Sequence, residues 1–427
     1  MPAAIIARSE TTFTVQIEIP YGSSMLDCEE TLQQRLNEAG TLATAEILQR
    51  FDTDGSPIQV GDTKLTSKGK LLKEYQTPYG VAPVERHVYQ SSRGGKTYCP
   101  LDRNARIVVS STPKFAKMVS FKYAEFGSAR VIKDLAENHG RDVARCFVQD
   151  VTEAVAAVAL AKEEDWEYAL PELEEPVATI TIGMDGTCLH LGAEGWRETM
   201  VGTIGFYDPE GERQHTIYLG ATPEYGKATF LDRMEREVER VKAAHPQARY
   251  VGLADGAKGN WEFLERHTET QVIDFWHAAE YLSDAADALF ARTPAAKRAW
   301  LASCCHRLKH EAGAARQLVR DLRRLAAEKG VPVDQSEVDA ALTYFTNQSR
   351  KGRMDYAPLV EASIPIGSGV TEAACKVLVK QRLCGSGMKW KGPGAAAVLS
   401  LRCLTYTSER WSQFWGKIDQ YGYPVAA

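Results

Sequence analysis

Three acidic residues fall where their carboxylates can share a hard cation. Asp185 follows the apolar run TITIGM, Asp255 follows RYVGLA, and Glu372 lies in the first turn of a helix within IPIGSGVTEAACKVLVKQRLC. A carboxylate at the end of a strand is costly beside a core unless something satisfies it, and acids on neighbouring strands can do so through a common divalent ion. Taken singly, each has a plainer explanation. Asp185 and Asp255 precede Gly186 and Gly256, as in a common turn, and an acid at a helix start suits the helix dipole and capping. Taken together they form an oxygen-only set for two Mg2+ or Mn2+ ions roughly 3.5 to 4 Å apart, which activate an attacking oxygen and stabilise the leaving one in phosphoryl transfer.

The elements that would hold these acids can be read from periodicity. VATITIGMDGTCLHLG, TMVGTIGFYD and RQHTIYLGAT are three consecutive strand-like runs. KATFLDRMEREVERVKAAHP follows as an amphipathic helix, with Leu231, Met234, Val238 and Val241 on one side. A strand, RYVGLADGA, a short helix, NWEFLERH, and another strand, QVIDFW, complete the series. Three strands, helix, strand, helix, strand is the order of the ribonuclease H-like fold, so the expected class is α/β with a ribonuclease H-like catalytic core over residues 177–427. Between Asp274 and Glu372 the pattern is helical and longer than a crossover needs, which predicts an inserted helical subdomain at about 278–360.

The segments IGMDGT, LADGAKGNW and IGSGVTEAACK, in this order, resemble the three motifs of bacterial insertion-sequence DDE transposases, in particular the Kra-type family related to Mutator-like enzymes. The resemblance spans roughly 177–415 and, more loosely, the upstream YCPLD. It implies that Asp185, Asp255 and Glu372 are the catalytic acids and hold two Mg2+ (or Mn2+) ions. Asp274-Phe275-Trp276-His277 is similar to an acid-x-x-His element of Mutator-like and hAT-like enzymes, which implies a positioning role for His277 near the scissile DNA. The implied activity is metal-dependent DNA strand cleavage and strand transfer at the ends of an insertion sequence, without a covalent protein intermediate. The implied partner is double-stranded DNA, both transposon ends and target, bound by a homodimer or higher assembly. Two alternatives share these residues: a ribonuclease H-like nuclease or resolvase without strand transfer, and a domesticated DNA-binding protein whose acids are structural.

Charge distribution bears on the partner. The net charge of the 427 residues is -5, which by itself disfavours nucleic acid, but the distribution is uneven. From 373 to 408 there is no acidic residue, and Lys376 and Lys380 follow Glu372 at spacings of four and eight, on the same helix face. Arg382, Lys389, Trp390 and Lys391 extend this basic run, the last three in a glycine-rich loop where charge and an aromatic face could meet DNA; Trp390 could equally anchor a core. The stretch 291–330, inside the predicted insertion, is also basic.

Upstream, residues 1–112 read as an α+β region with a ribbon tipped by Arg93-Gly94-Gly95-Lys96, and 113–162 as helical. Within the latter, two helices around His139-Gly140 resemble a helix-turn-helix that would present Arg141 and Arg145 to DNA. The acidic, proline-bearing 163–176 is the predicted linker. Nine cysteines without a C-x-x-C pair predict reduced, mostly buried thiols. No membrane span or signal peptide is evident, so the expected location is cytoplasmic, with the nucleoid when acting.

Overall fold

The computed structural model describes residues 3–163, 165–255, 258–333 and 336–422, a mixed α/β chain in two units. One unit comprises Met1–Ala169, Ala396–Thr405 and Glu409–Ala427; the other comprises Leu170–Ala395 and Tyr406–Ser408. The boundary falls inside the acidic segment. The C-terminal helices do not continue the second unit, as the span 177–427 had suggested. Leu401, Leu404, Phe414, Trp415 and Ile418 are instead buried in one apolar cluster with Phe115, Val119, Val151 and Val155.

The first unit begins with an antiparallel ribbon, β1 (Ala3–Arg8) and β2 (Phe13–Ile17), and a long helix, α1 (Met25–Gln49), capped by Ser24, whose hydroxyl accepts from Asp27 N–H. A four-stranded antiparallel sheet follows in sequence order: β3 (Ile58–Val60), β4 (Thr63–Gln76), β5 (Val81–Ser91) and β6 (Gly94–Tyr98). The helices α2 (Pro100–Asn104), α3 (Pro113–Glu125), α4 (Ser128–His139) and α5 (Arg145–Lys162) come next.

The helix-turn-helix reading does not survive. A recognition helix needs an open, basic face. In α5 the residues Val148, Val151, Thr152, Val155, Ala156, Val158 and Ala159 are all buried, and the exposed side carries Asp150 and Glu153. Arg141 precedes α5, is 6% exposed, and donates to Thr77 O at 3.1 Å and Gln76 Oε1 at 2.6 Å, so it braces the unit and is not available to DNA. Arg145 is exposed, and its Nε is engaged with Ser128 Oγ at 2.8 Å.

The second unit is organised by a five-stranded sheet. Its strands are β7 (Thr179–Leu191), β8 (Gly195–Tyr207), β9 (Arg213–Ala221), β10 (Arg249–Ala254) and β11 (Thr270–Ile273), in the order β11-β10-β7-β8-β9. β7, β8 and β9 form an antiparallel meander, while β10 runs parallel to β7 and β11 parallel to β10. Parallel neighbours require crossovers, and α6 (Ala228–Ala244) and α7 (Lys258–His267) provide them. Ile180, Ile182 and Met184 of β7 share one core with Phe230, Met234, Val238 and Val241 of α6. Phe230 fills the place the sequence had given to Leu231, which is only partly buried.

After β11 come α8 (Phe275–Leu289), α9 (Pro294–His310), α10 (Ala314–Lys329), α11 (Glu337–Arg350) and α12 (Ala357–Glu361). The chain then forms α13 (Gly369–Ala374), a π-helical turn over Cys375–Lys380, α14 (Gln381–Leu383), α15 (Gly392–Tyr406) and α16 (Arg410–Tyr421). All nine cysteines are free. Cys304, Cys375 and Cys403 are buried, but Cys146, Cys188 and Cys384 are exposed, against the expectation of mostly buried thiols. Among the described residues no helix is long and apolar enough to cross a membrane.

Candidate active site

Asp185 is not at a strand end. β7 continues through it to Leu191, and Asp185 pairs with Val201 of β8 while Gly186 pairs with Met200, so no Asp-Gly turn explains the acid. The ladder between β10 and β7 ends at the pair Leu253↔Gly183. Two residues further along the chain from this pair are Asp185, still within β7, and Asp255, the first residue after β10, so the parallel register directs the two acids toward one another. Gly256 lies outside the described residues.

Their proximity is felt electrostatically. The Asp185 carboxyl is pushed above its ordinary value, first by burial and then by the like charges of Asp255 and Glu372. Two hydrogen bonds oppose the shift. Gly186 N–H donates to Oδ1 at 2.7 Å, and the Cys375 thiol donates to Oδ2 at 3.5 Å. Burial, reinforced by Asp185, pushes the Cys375 thiol well up, so it stays protonated and serves as a donor.

Glu372 reaches this position because α13 sits directly on β7. A Cβ at Gly183 would lie 2.0 Å from Thr371 Oγ1 and 2.9 Å from Thr203 Oγ1, an approach only glycine permits. The two threonine hydroxyls meet at 2.7 Å, locking α13 to β8. Side chains at 183 and 185 share one face of the strand, so seating Thr371 over Gly183 brings the next residue, Glu372, to the side of the sheet that bears Asp185. Ser368 occupies the N-cap position of α13, but its side chain makes no capping hydrogen bond to the helix.

Glu372 is exposed and accepts from Ser368 Oγ at 2.8 Å. The same hydroxyl lies 3.0 Å from Asp274 Oδ2. A hydroxyl has one hydrogen, so Ser368 serves one of these carboxylates at a time and leaves Glu372 free to turn. Among the described residues the acids do not close into a ready-made cage of three ligands. Their donor set, carboxylate oxygens only, with like charges crowding Asp185, nevertheless suits Mg2+ or Mn2+ chemically, since a divalent cation relieves that crowding.

Asp274, the acid of the acid-x-x-His element, is 1% exposed. It caps α8 by accepting from His277 N–H at 2.6 Å and holds the Ser368 hydroxyl, so it clamps the loop before Glu372. The His277 ring meets Glu280 Oε2 at 3.2 Å and stands edge-on to Tyr281 and Tyr344, which are stacked at 4.0 Å. Tyr344 Oη reaches Asp255 O at 3.4 Å. His277 is therefore linked to the backbone of Asp255 through Tyr344.

The basic residues separate into two groups. Lys376 and Lys380 are exposed and line a cleft of about 740 Å³ together with Asp185, Thr187, Glu372 and Cys375. Arg382, expected to face DNA, is 2% exposed and lies over the Trp390 ring at 5.2 Å, while Trp390 Nε1 donates to Leu383 O at 2.8 Å. Both brace the loop, while Lys389 and Lys391 are open to solvent. A cleft of similar size, about 720 Å³, lies within the first unit. Its charged lining is Glu30, Glu38 and Glu137, with no lysine or arginine, so the cleft beside Asp185 is the stronger candidate site.

Gly183, Ser368, Thr371, Cys375 and Tyr344 were not assigned roles here by sequence. The glycine inside the apolar run TITIGM was the available signal for a close approach. Compared with known proteins, the chain matches no family model and no curated protein.

Proposed function

We propose that this chain is a DDE-type transposase of the insertion-sequence class, with a ribonuclease H-like second unit that cuts and joins DNA. The observation that carries the reading is the convergence of Asp185 in β7 and Asp255, just past the end of the parallel β10, with Glu372 of α13, whose neighbour Thr371 is seated over Gly183. The strand order β11-β10-β7-β8-β9, with an antiparallel meander and two parallel additions, supports the fold assignment. Asp185, Asp255 and Glu372 are the residues that would hold Mg2+ or Mn2+, which when bound supplies Lewis-acid activation of the oxygens in phosphoryl transfer.

The chain's own residues do the positioning. Gly186 N–H and the Cys375 thiol fix the Asp185 carboxylate, and Asp274 and Ser368 hold the loop that presents Glu372. Lys376 and Lys380 draw phosphates into the cleft. Strand transfer brings two DNA ends together, so the proposal includes at least a homodimer on DNA. The test is incubation of the full chain with end-containing DNA and Mg2+ or Mn2+. Nicks with 3′-hydroxyl ends and joined products support the reading. Hydrolysis without joining identifies a nuclease, and cleavage by Asp185→Ala equal to wild type removes the acids from the mechanism.

A further inference from the structure

We infer that Trp276 is a stacking platform for an unpaired base beside the strand being cut, an inference that rests on the DNA-cutting reading above. Trp276 is 70% exposed, an unusual state for so large an apolar ring. It stands next to the loop that presents Glu372. Phe275 N–H donates to Ile366 O at 3.0 Å, Asp274 holds Ser368, and between them a Cβ on Gly367 would lie 3.7 Å from Trp276 Cδ1 and 4.0 Å from its Nε1.

The ring is mounted rigidly. It sits in the first turn of α8, between the buried Asp274 cap and the turn that His277 closes, and it leans edge-on against Phe275 at 5.4 Å. Phe275 is itself 5% exposed and packs against Tyr356. Among the described residues the Trp276 indole N–H has no hydrogen-bond partner.

Two other tryptophans of this unit, Trp390 and Trp261, have evident structural work. Trp390 is bonded to Leu383 O and covered by Arg382, and Trp261 lies under the Arg353 guanidinium at 3.8 Å. Trp196, 64% exposed, has its edge against His190 at 5.4 Å. Inside a duplex both faces of a base are covered by neighbouring pairs, whereas an unpaired base offers a free π-face. An exposed indole accepts any such base, since each has a π-face. Phosphates of the same strand would meet Lys376 and Lys380 in the cleft that begins at Gly369.

The experiment is fluorescence anisotropy of the full chain, without added metal, against labelled oligo-dT of about 20 nucleotides and against a duplex of equal length. Trp276→Ala should weaken oligo-dT binding about five- to tenfold, from the typical strength of base–aromatic stacking, while Trp276→Tyr keeps most of it. Trp196→Ala and the duplex affinities should stay at wild-type values. The inference is overturned if wild type does not bind oligo-dT, if Trp276→Ala binds it as wild type does, or if Trp196→Ala loses as much. Because the measurement needs no cutting, failure of wild type to nick DNA would remove the transposase reading and leave the stacking result standing. Nicking with unchanged Trp276→Ala binding would remove the stacking role alone.

Discussion

Around α5 the arginines are engaged with the protein's own groups, whereas along 369–383 the lysines face a cleft. Both segments carry basic residues that sequence spacing assigned to DNA. Arg141 is consumed by Thr77 O and Gln76, and the exposed side of α5 bears Asp150 and Glu153. Lys376 and Lys380 remain exposed beside Glu372. The difference teaches that the two basic residue types should not be counted alike. Arginine, with five donors on a planar fork and weaker hydration, can satisfy buried carbonyls; lysine is a strongly hydrated point charge that stays out. Arg382, Arg353 and Arg402 repeat the pattern, at 2%, 2% and 1% exposure.

The largest expected effect separates the two segments by chemistry. Glu372→Gln should lower the rate of DNA nicking by about a thousandfold, the scale of losing several kcal/mol of metal-borne charge stabilisation, while Glu153→Gln on α5 leaves it unchanged. Equal nicking by both variants would erase the distinction. Next in size, Arg141→Ala should destabilise the first unit by about 2 kcal/mol in denaturant unfolding, because it strands the buried Thr77 O and the half-buried Gln76 Oε1. Arg145→Ala should cost under about 0.5 kcal/mol, as a surface change does. A sharp loss of DNA affinity from Arg141→Ala in a fully folded sample would restore the recognition-helix reading.

Replacing Lys376 and Lys380 with alanine should lower DNA affinity roughly uniformly across sequences and reduce the slope of log affinity against log salt by about 1 for each lysine. Titration at several salt concentrations measures this, and an unchanged slope would take both lysines off the phosphates. The smallest effect concerns Asp185. Its carboxyl is raised above the ordinary 3.8 by burial and by Asp255 and Glu372, so the fold favours the protonated form. The stability from this group is present below the unfolded value and lost as pH rises through the raised folded one. Asp185→Asn should therefore raise the melting temperature of the metal-free protein at pH 7 on the order of 2 °C, a gain that vanishes in acid. Thermal melts at both pH values decide it: a lower midpoint at pH 7 would mean that Asp185 is not crowded by like charge.

Much of the second unit was legible because its signals are local. The apolar alternation of TITIGM, TMVGTIGFY and RYVGLA gave the strands, and spacing of three and four in KATFLDRMEREVERVKAA gave α6. The acids could be named because each adjoins such a run. Their arrangement could not. The strand was read as ending at Met184, because Asp-Gly has the look of a turn, whereas cross-strand pairing carries it to Leu191. In the first unit two helices around His139-Gly140 were legible, but periodicity does not say how many neighbours a helix has, and α5 buries Val148, Thr152 and Val158 as well as Val151 and Val155.

The sequence by itself determined the order of strands and helices in the catalytic candidate, the three carboxylates, and a break in the acidic segment after α5, since each depends on residues a few positions apart. Only the tertiary structure decided that the parallel pairing of β10 with β7 brings Asp255 near Asp185, that α13 rests on Gly183 through Thr371 and Thr203, and that Asp274 is a buried clamp. It also decided that the C-terminal helices belong with the N-terminal unit. Each of these joins residues far apart in the chain, and the free energy that selects it comes from excluded water and satisfied polar groups at contacts that local periodicity does not encode.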